Sequence, residues 1–398
     1  MSKTLVSEVA KLLARSKRPL FHIGQGVRHG LDEFLLLIEV LQAPFVTARN
    51  ANDAVEWGHP LYVGRPGTFA QRGANFAVQT CDLYIAIGTR LSITQTGYNT
   101  KDYARNAQII QVNIDQAELD KDTLRHPLNI CMDARDFINQ LHSEQLPSGL
   151  WSSWLAQCQR WKEKYPVCLP EYKDEKDYVN SYYFLDVLSD LAAPDDGVVT
   201  DMGFAFQNTH QVWKTKVGQR ILTNCGLAPM GWGLPAAIGA AFGSGKRILL
   251  ITGEGGLMMN IQELATVAHH KLNIKIFVLN NGGYATIKQT QEFGFEGRLM
   301  GVDKKTGLSF PDFMKIADAH KIAFGEVRRN EEVPPMINLM LMEDCPAMLE
   351  IMMSPDQPQA PRFLNRRNAD GTMNPTKLED AYPFLPEEEV AEQMKVAQ

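Results

Sequence analysis

A chain of 398 residues, 44% hydrophobic and 22% charged, has the composition of a globular protein and is long enough for two domains. Its net charge of −6 is spread along the sequence and leaves no basic stripe of the kind a nucleic-acid binder carries, whereas small anions stay compatible because local backbone amides hold them. Six scattered cysteines (Cys81, Cys131, Cys158, Cys168, Cys225, Cys345) form no CxxC or Cys/His cluster, and no stretch approaches the roughly 18 apolar residues of a membrane span, so the expectations are reduced thiols, a cytoplasmic location and no membrane or nucleic-acid partner.

The opening segment, MSKTLVSEVAKLLARSKRPL, is amphipathic and lacks the apolar core of a signal peptide. From there short apolar runs alternate with helical periodicity. Pro19–Gly24, Pro44–Ala48, Asp82–Gly88 and Gln108–Asp115 read as strands, and Leu31–Leu41 and Ala134–Leu141 as helices. Pro, Gly and Ser in 143–152 break the pattern and suggest a boundary. Strands resume at Gly197–Thr200, Arg247–Thr252, Ile274–Leu279, Ala323–Val327 and Ala347–Ile351. Helices fit Tyr182–Leu191, Gly231–Phe242, Ile261–His270 and Phe310–Ala319. Continuous apolar strands between helices predict an α/β protein of two doubly wound, mainly parallel-sheet domains. The expected division is 1–145, a linker 146–180, a second domain 181–353 and a tail 354–398.

The strand RILLIT ends in Gly253-Glu254-Gly255-Gly256, and a helical segment follows. Glycines there let the backbone approach an anion, and a helix start presents free N–H groups. The next strand ends in Asn280-Asn281-Gly282-Gly283, with Asn281 falling 27 residues after Glu254. Neighbouring parallel strands would set Asn281 beside Glu254. A carboxylate, an amide oxygen, a backbone carbonyl and two phosphate oxygens make an octahedral Mg²⁺ site with room for one water.

This pairing resembles the GDG…NN motif of thiamine diphosphate-dependent enzymes. Ala228-Pro229-Met230-Gly231-Trp232-Gly233-Leu234-Pro235-Ala236-Ala237 is similar to the segment before GDG in acetolactate synthase-like members. Arg18 to Gly26, Leu83 to Arg90 and Val112 to Asp115 resemble their central domain, so the likeness runs from about residue 5 to 353. It implies that thiamine diphosphate is bound by Gly203, Phe204, Met230, Gly253, Glu254, Gly255, Gly256, Asn281, Gly283 and Tyr284. By the same resemblance Glu254, Asn281 and the Gly283 carbonyl hold Mg²⁺. Met230 corresponds to the bulky residue that keeps the two cofactor rings bent, although a plain core methionine is the alternative. Asp201, at the strand end before Gly203, reads equally well as a helix N-cap.

One departure stands at the metal. The family writes aspartate where this chain has Glu254, and the added methylene moves the carboxylate by about 1.5 Å, which leaves Mg²⁺ at a disadvantage against Ca²⁺ or Mn²⁺. The central domain binds FAD in some relatives and nothing in others. Here the GQGVRHG loop (Gly24, Gly26, Gly30) misses the GxGxxG spacing, which argues against flavin and against a nicotinamide-dependent dehydrogenase, while Asp115 at a strand end is the remaining candidate for a ribose hydroxyl.

About 18 residues precede the first expected strand, so the family's pyrimidine domain, which carries the cofactor-activating glutamate, has no counterpart in this sequence. No residue takes that catalytic role, and Glu263 reads as an exposed or capping side chain. The missing domain would be a separate chain in an oligomer, a part removed from a longer product, or a part lost from a non-catalytic homologue. The implied activity is decarboxylation and carboligation of a 2-keto acid such as pyruvate, with a second pyruvate or a keto-sugar as acceptor. Gln95-Thr96-Gly97-Tyr98-Asn99 and the tail, with Asp370-Gly371, Leu378-Glu379-Asp380 and Pro383-Phe384-Leu385, resemble members from bacterial surface-polysaccharide pathways.

Overall fold

The computed structural model describes residues 2–364, 366–367, 373–374 and 377–397, and Asp370-Gly371 lie outside the described residues. The chain forms two compact units, residues 1–167 with 360–398, and residues 168–359. Helix Ser152–Lys164, inside the expected linker, and the tail from Ala360 both belong to the first unit. No described helix is long and apolar enough to cross a membrane, and all six cysteines are free.

The first unit is built on a six-stranded, all-parallel sheet of β1 (Pro19–Ile23), β2 (Phe45–Thr47), β3 (Tyr62–Gly64), β4 (Leu83–Ile87), β5 (Gln108–Asn113) and β6 (Leu128–Cys131), in the order β3-β2-β1-β4-β5-β6. β1 and β4 are buried along their whole length, which is why they read as continuous apolar runs. Helices Leu31–Leu41 and Ala134–His142 match the expected periodicity almost to the residue. Among the elements without a sequence signal, three show why. β3 and β6 are edge strands of three and four residues, too short for a pattern, and helix Arg72–Thr80 is buried on every side, so its polar Arg72, Asn75 and Gln79 hid it.

The chain reverses its direction of strand addition between β1 and β4, where doubly wound sheets usually open a crevice. Here backbone fills it. Gly26 N–H donates to Gly88 carbonyl at 3.0 Å, and a Cβ on Gly24 would stand 2.3 Å from that same oxygen. Gly30 packs on Arg135, and Asp115 accepts the N–H of Ala117 at 2.9 Å as a helix cap. These residues therefore make close contacts within the protein.

Behind β1 runs a buried polar chain. His22 Nδ1 contacts the Tyr84 hydroxyl, which lies 2.6 Å from that of Tyr103, and Gln95 Nε2 stands 3.1 Å from His22 Nε2. Burial pushes the His22 imidazole down from 6.5 to about 3. The neutral ring is the folded form, so this contribution is complete above pH 6.5 and declines as pH falls toward 3, at about 1.4 kcal/mol per pH unit. Between pH 7 and 5 the first unit should lose about 2 kcal/mol through this residue. Urea unfolding at both pH values measures it, and His22→Gln should show a correspondingly flatter dependence.

The second unit carries β7 (Gly197–Thr200), β8 (Arg220–Leu222), β9 (Ile248–Gly253), β10 (Ile274–Asn280), β11 (Ala323–Val327) and β12 (Ala347–Met352), again all parallel, in the order β11-β12-β10-β9-β7-β8. Ile248, Leu250, Ile274, Ile276 and Val278 form its core with Leu234 and Ala237 from helix Gly233–Ser244. The reversal point lies between β7 and β9, and their carboxyl ends carry Asp201 and Gly253. Past β10 the turn 281–284 leads into helix Ala285–Gly294. Gly282-Gly283 masked that start, since paired glycines ordinarily punctuate a loop.

Candidate functional site

A cleft of about 340 Å³ opens at the reversal point of the second unit. All ten residues expected to bind cofactor line it: Gly203, Phe204, Met230, Gly253, Glu254, Gly255, Gly256, Asn281, Gly283 and Tyr284. The register explains the convergence. β9 and β10 are neighbours with Leu279 opposite Gly253, so the segments leaving both strands emerge side by side.

Glu254 begins a short helix, Glu254–Met258, and is only 1% exposed. Its Oε1 accepts the N–H of Gly283 at 2.9 Å and of Asn281 at 3.1 Å. Burial pushes this carboxyl up to about 7, against the pull of the surrounding backbone N–H groups. The longer side chain thus reaches across to tie the Asn-Asn-Gly-Gly turn to β9. Asn280 shapes the same turn, accepting the N–H of Gly282 at 2.9 Å and donating to Glu350 at 2.6 Å. Gly283 is pressed on the opposite side, where a Cβ would meet the Val302 carbonyl at 2.1 Å.

Two glycines of the Gly253–Gly256 turn are sterically imposed. A Cβ on Gly255 would stand 2.2 Å from Tyr284 Cε1 and 3.0 Å from Met230 Cε, so Met230 and Tyr284 meet over this residue. Tyr284 is backed edge-on by Phe310, with ring centroids 5.9 Å apart. A Cβ on Gly256 would stand 2.3 Å from Asp201 Oδ2.

Asp201 is the residue whose part the sequence did not disclose. Helix Phe204–Val212 is preceded by Gly203, so Asp201 is not its cap. Buried to 1% exposure, its carboxylate accepts N–H groups of Met202 at 2.9 Å and Gly231 at 3.0 Å, and the Thr252 hydroxyl at 3.0 Å. Burial raises its carboxyl while these donors pull it down. One side chain thus joins the ends of β7 and β9 and the segment before helix Gly233–Ser244. A reader of the sequence sees only an Asp at a strand end, because the partners lie 30 and 51 residues away.

Of the segment Tyr284–Gln289, the residues Tyr284, Ala285, Thr286 and Ile287 line the cleft, while Lys288 pairs with Asp356 at 2.9 Å. Glu263 is half-buried and accepts from Thr266 at 2.9 Å within its own helical turn.

The site's chemistry fits a diphosphate with a hard cation. A buried carboxylate, an amide side chain and a run of side-chain-free backbone converge on one cleft, and Asp201 and Tyr284 leave no room for Cβ atoms where the glycines lie. Comparison with known proteins agrees. Residues 201–351 match the thiamine pyrophosphate enzyme C-terminal TPP-binding domain, and residues 6–141 match the central domain of such enzymes. The acetolactate synthase large subunit of Cyanidium caldarium is 30% identical over 367 residues, covering 88% of this chain and 60% of that protein. Isozyme 1 of Escherichia coli (strain K12) is 30% identical over 361 residues, covering 89% and 62%. The chain spans about three fifths of the length of these relatives. The crystal structure of benzoylformate decarboxylase from Polynucleobacter necessarius superposes with a TM-score of 0.74 at 18% identity over 89% of this chain and 65% of that one, a likeness of fold.

Proposed function

Since the chain belongs to the thiamine pyrophosphate enzymes by its central and C-terminal TPP-binding domains, we propose that the cleft of the second unit holds the diphosphate end of thiamine diphosphate together with Mg²⁺. The observation that carries this reading is the β9–β10 register, which delivers Glu254, Asn281 and Gly283 to one point. Glu254, Asn281 and the Gly283 carbonyl would hold the cation, all hard oxygen donors. Gly203, Phe204 and the Gly253–Gly256 turn would hold the diphosphate through the backbone. Met230 and Tyr284 would bound the rings.

Bound there, thiamine diphosphate supplies a carbon nucleophile and an electron sink for decarboxylating a 2-keto acid such as pyruvate and joining the remainder to an acceptor carbonyl. This chain's part is to bind, orient and exclude water. Thr286 and Ile287, beside Tyr284 in the cleft lining, would meet the substrate. The cofactor-activating glutamate would come from a pyrimidine domain outside this sequence, supplied within an oligomer. A second reading, a chain that binds cofactor without turning over, draws on Glu254, whose carboxylate is already engaged by two backbone N–H groups.

Titration of thiamine diphosphate into the full chain, with and without Mg²⁺, should give metal-dependent binding by calorimetry and a cofactor circular-dichroism band. No such binding, alone and with a pyrimidine-domain chain added, would sink the proposal. Binding without pyruvate consumption in that mixture would select the second reading.

A further inference from the structure

Met230 is a curious choice for the wall of a cleft. Its side chain has three rotatable bonds and adapts to whatever lies beside it. A methionine gives a defined surface only if its backbone is fixed, and here the two peptide groups that flank Gly231 are each held by a side chain. Gly231 N–H donates to both Asp201 oxygens, at 3.0 and 3.2 Å, and Gly231 carbonyl accepts from Asn260 Nδ2 at 2.6 Å.

The fit around Gly231 is close. Gly231 has φ of +84°, a conformation that side-chain-bearing residues rarely adopt, and a Cβ there would stand 2.4 Å from Met259 Cβ and 3.0 Å from Asn260 Nδ2. Gly231 cannot move away from Asp201 or from Asn260 without breaking a hydrogen bond. Asp201 is itself immobile, held by Met202 and Thr252. Asn260 sits just beyond the Gly253–Gly256 turn, so the clamp also couples the Met230 segment to that turn.

We propose that Asp201 and Asn260 are positioning residues that hold the two peptide groups flanking Gly231 and thereby place Met230 as an apolar wall for the cofactor rings. This rests on the reading of the cleft as a thiamine diphosphate site. Asp201 also lies under Gly256 and so supports the diphosphate turn, whereas the Asn260 side chain, among the described residues, makes its hydrogen bond to Gly231. Asn260 is therefore the cleaner handle.

The test uses two probes on the full chain with Mg²⁺, thiamine diphosphate and inorganic pyrophosphate, which lacks the rings. Asn260→Ala, and the near-isosteric Asn260→Leu in case the first folds poorly, should weaken thiamine diphosphate about tenfold and pyrophosphate less than about twofold. In a Met230→Ala background, Asn260→Leu should weaken thiamine diphosphate less than about twofold, because the wall it places is gone. Equal loss with both probes would mean general support of the unit and would overturn the clamp, as would no loss with either. A wild-type chain silent to both probes, alone and with a pyrimidine-domain chain added, would overturn the thiamine diphosphate reading and the clamp with it. Wild-type binding with an additive cycle would overturn the clamp alone.

Discussion

Glu254→Gln should abolish metal-dependent thiamine diphosphate binding, by about a hundredfold or more, while leaving the melting temperature unchanged or raised. The two effects separate because the carboxylate has two duties. One oxygen accepts N–H groups from Asn281 and Gly283, and an amide oxygen can do the same in the same place. The charge and the second oxygen are what a hard cation requires, and the amide lacks both. At 1% exposure the wild-type charge carries a desolvation cost, as the upward push on its carboxyl shows, and the neutral amide is spared that cost. Calorimetric titration with Mg²⁺ gives the first quantity and a thermal melt without ligand the second. Retained metal-dependent binding would remove Glu254 from the cation site. A large fall in melting temperature would mean that the turn depends on the charge itself.

The same residue shows where sequence reasoning reaches and where it stops. The pairing of Glu254 with Asn281 was legible because one helical segment and one strand separate them, and adjacent parallel strands end at the same level. The reach of Oε1 to two backbone N–H groups was not, since it depends on how the turn Asn281–Gly283 folds back, and side-chain direction is not encoded in spacing. Long buried strands such as β4 and β10 announced themselves through unbroken apolar runs. β8, three residues at a sheet edge, did not, because edge strands are short and face solvent on one side. Asp201 and Asn260 are the deepest omissions. Each is an ordinary polar residue near the end of a local element, and their shared partner, Gly231, is about thirty residues from either.

The two units also show why a common fold does not confer a common site. Each sheet has a central reversal in its order of strand addition, β1/β4 in the first and β7/β9 in the second, and each of these points carries glycines. In the first unit the glycines bring Gly24 and Gly26 down onto Gly88, closing the crevice with backbone. In the second, Gly255 and Gly256 lie against Tyr284 and Asp201, and the space beside them stays open as the cleft. What differs is where the close approach is directed, which side chains decide and topology does not.

Glu379→Ala should destabilise the first unit by about 3 kcal/mol. The tail brings this glutamate back onto helix Arg72–Thr80 and the segment before β5. There its oxygens accept from Arg105 Nη2 at 2.6 Å, Arg105 Nη1 at 3.2 Å and Gln79 Nε2 at 3.0 Å, and the side chain is 2% exposed. Burial alone would raise its carboxyl, yet Arg105 and Gln79 hold it below the ordinary value of 4.5, so the pair contributes fully above that pH and is lost only as pH falls through the lowered value. Removing the carboxylate strands a guanidinium whose side chain is 24% exposed and which keeps Asp102 at 3.1 Å, so the loss belongs at the lower end for a broken buried pair. The neighbouring contacts would loosen with it: Arg72 donates to the Ala381 and Pro383 carbonyls, Asn75 to Leu378, and Trp161 to Gln393. Urea unfolding followed by tryptophan fluorescence measures the change, because Trp161 sits under the tail, and limited proteolysis should cut the released segment first. Glu379→Gln, which keeps the shape and the bond to Gln79, should cost about half as much. A loss below about 0.5 kcal/mol for the alanine variant would mean that the tail is held by its apolar contacts, Leu378 and Ala381 among them, and not by this ion pair.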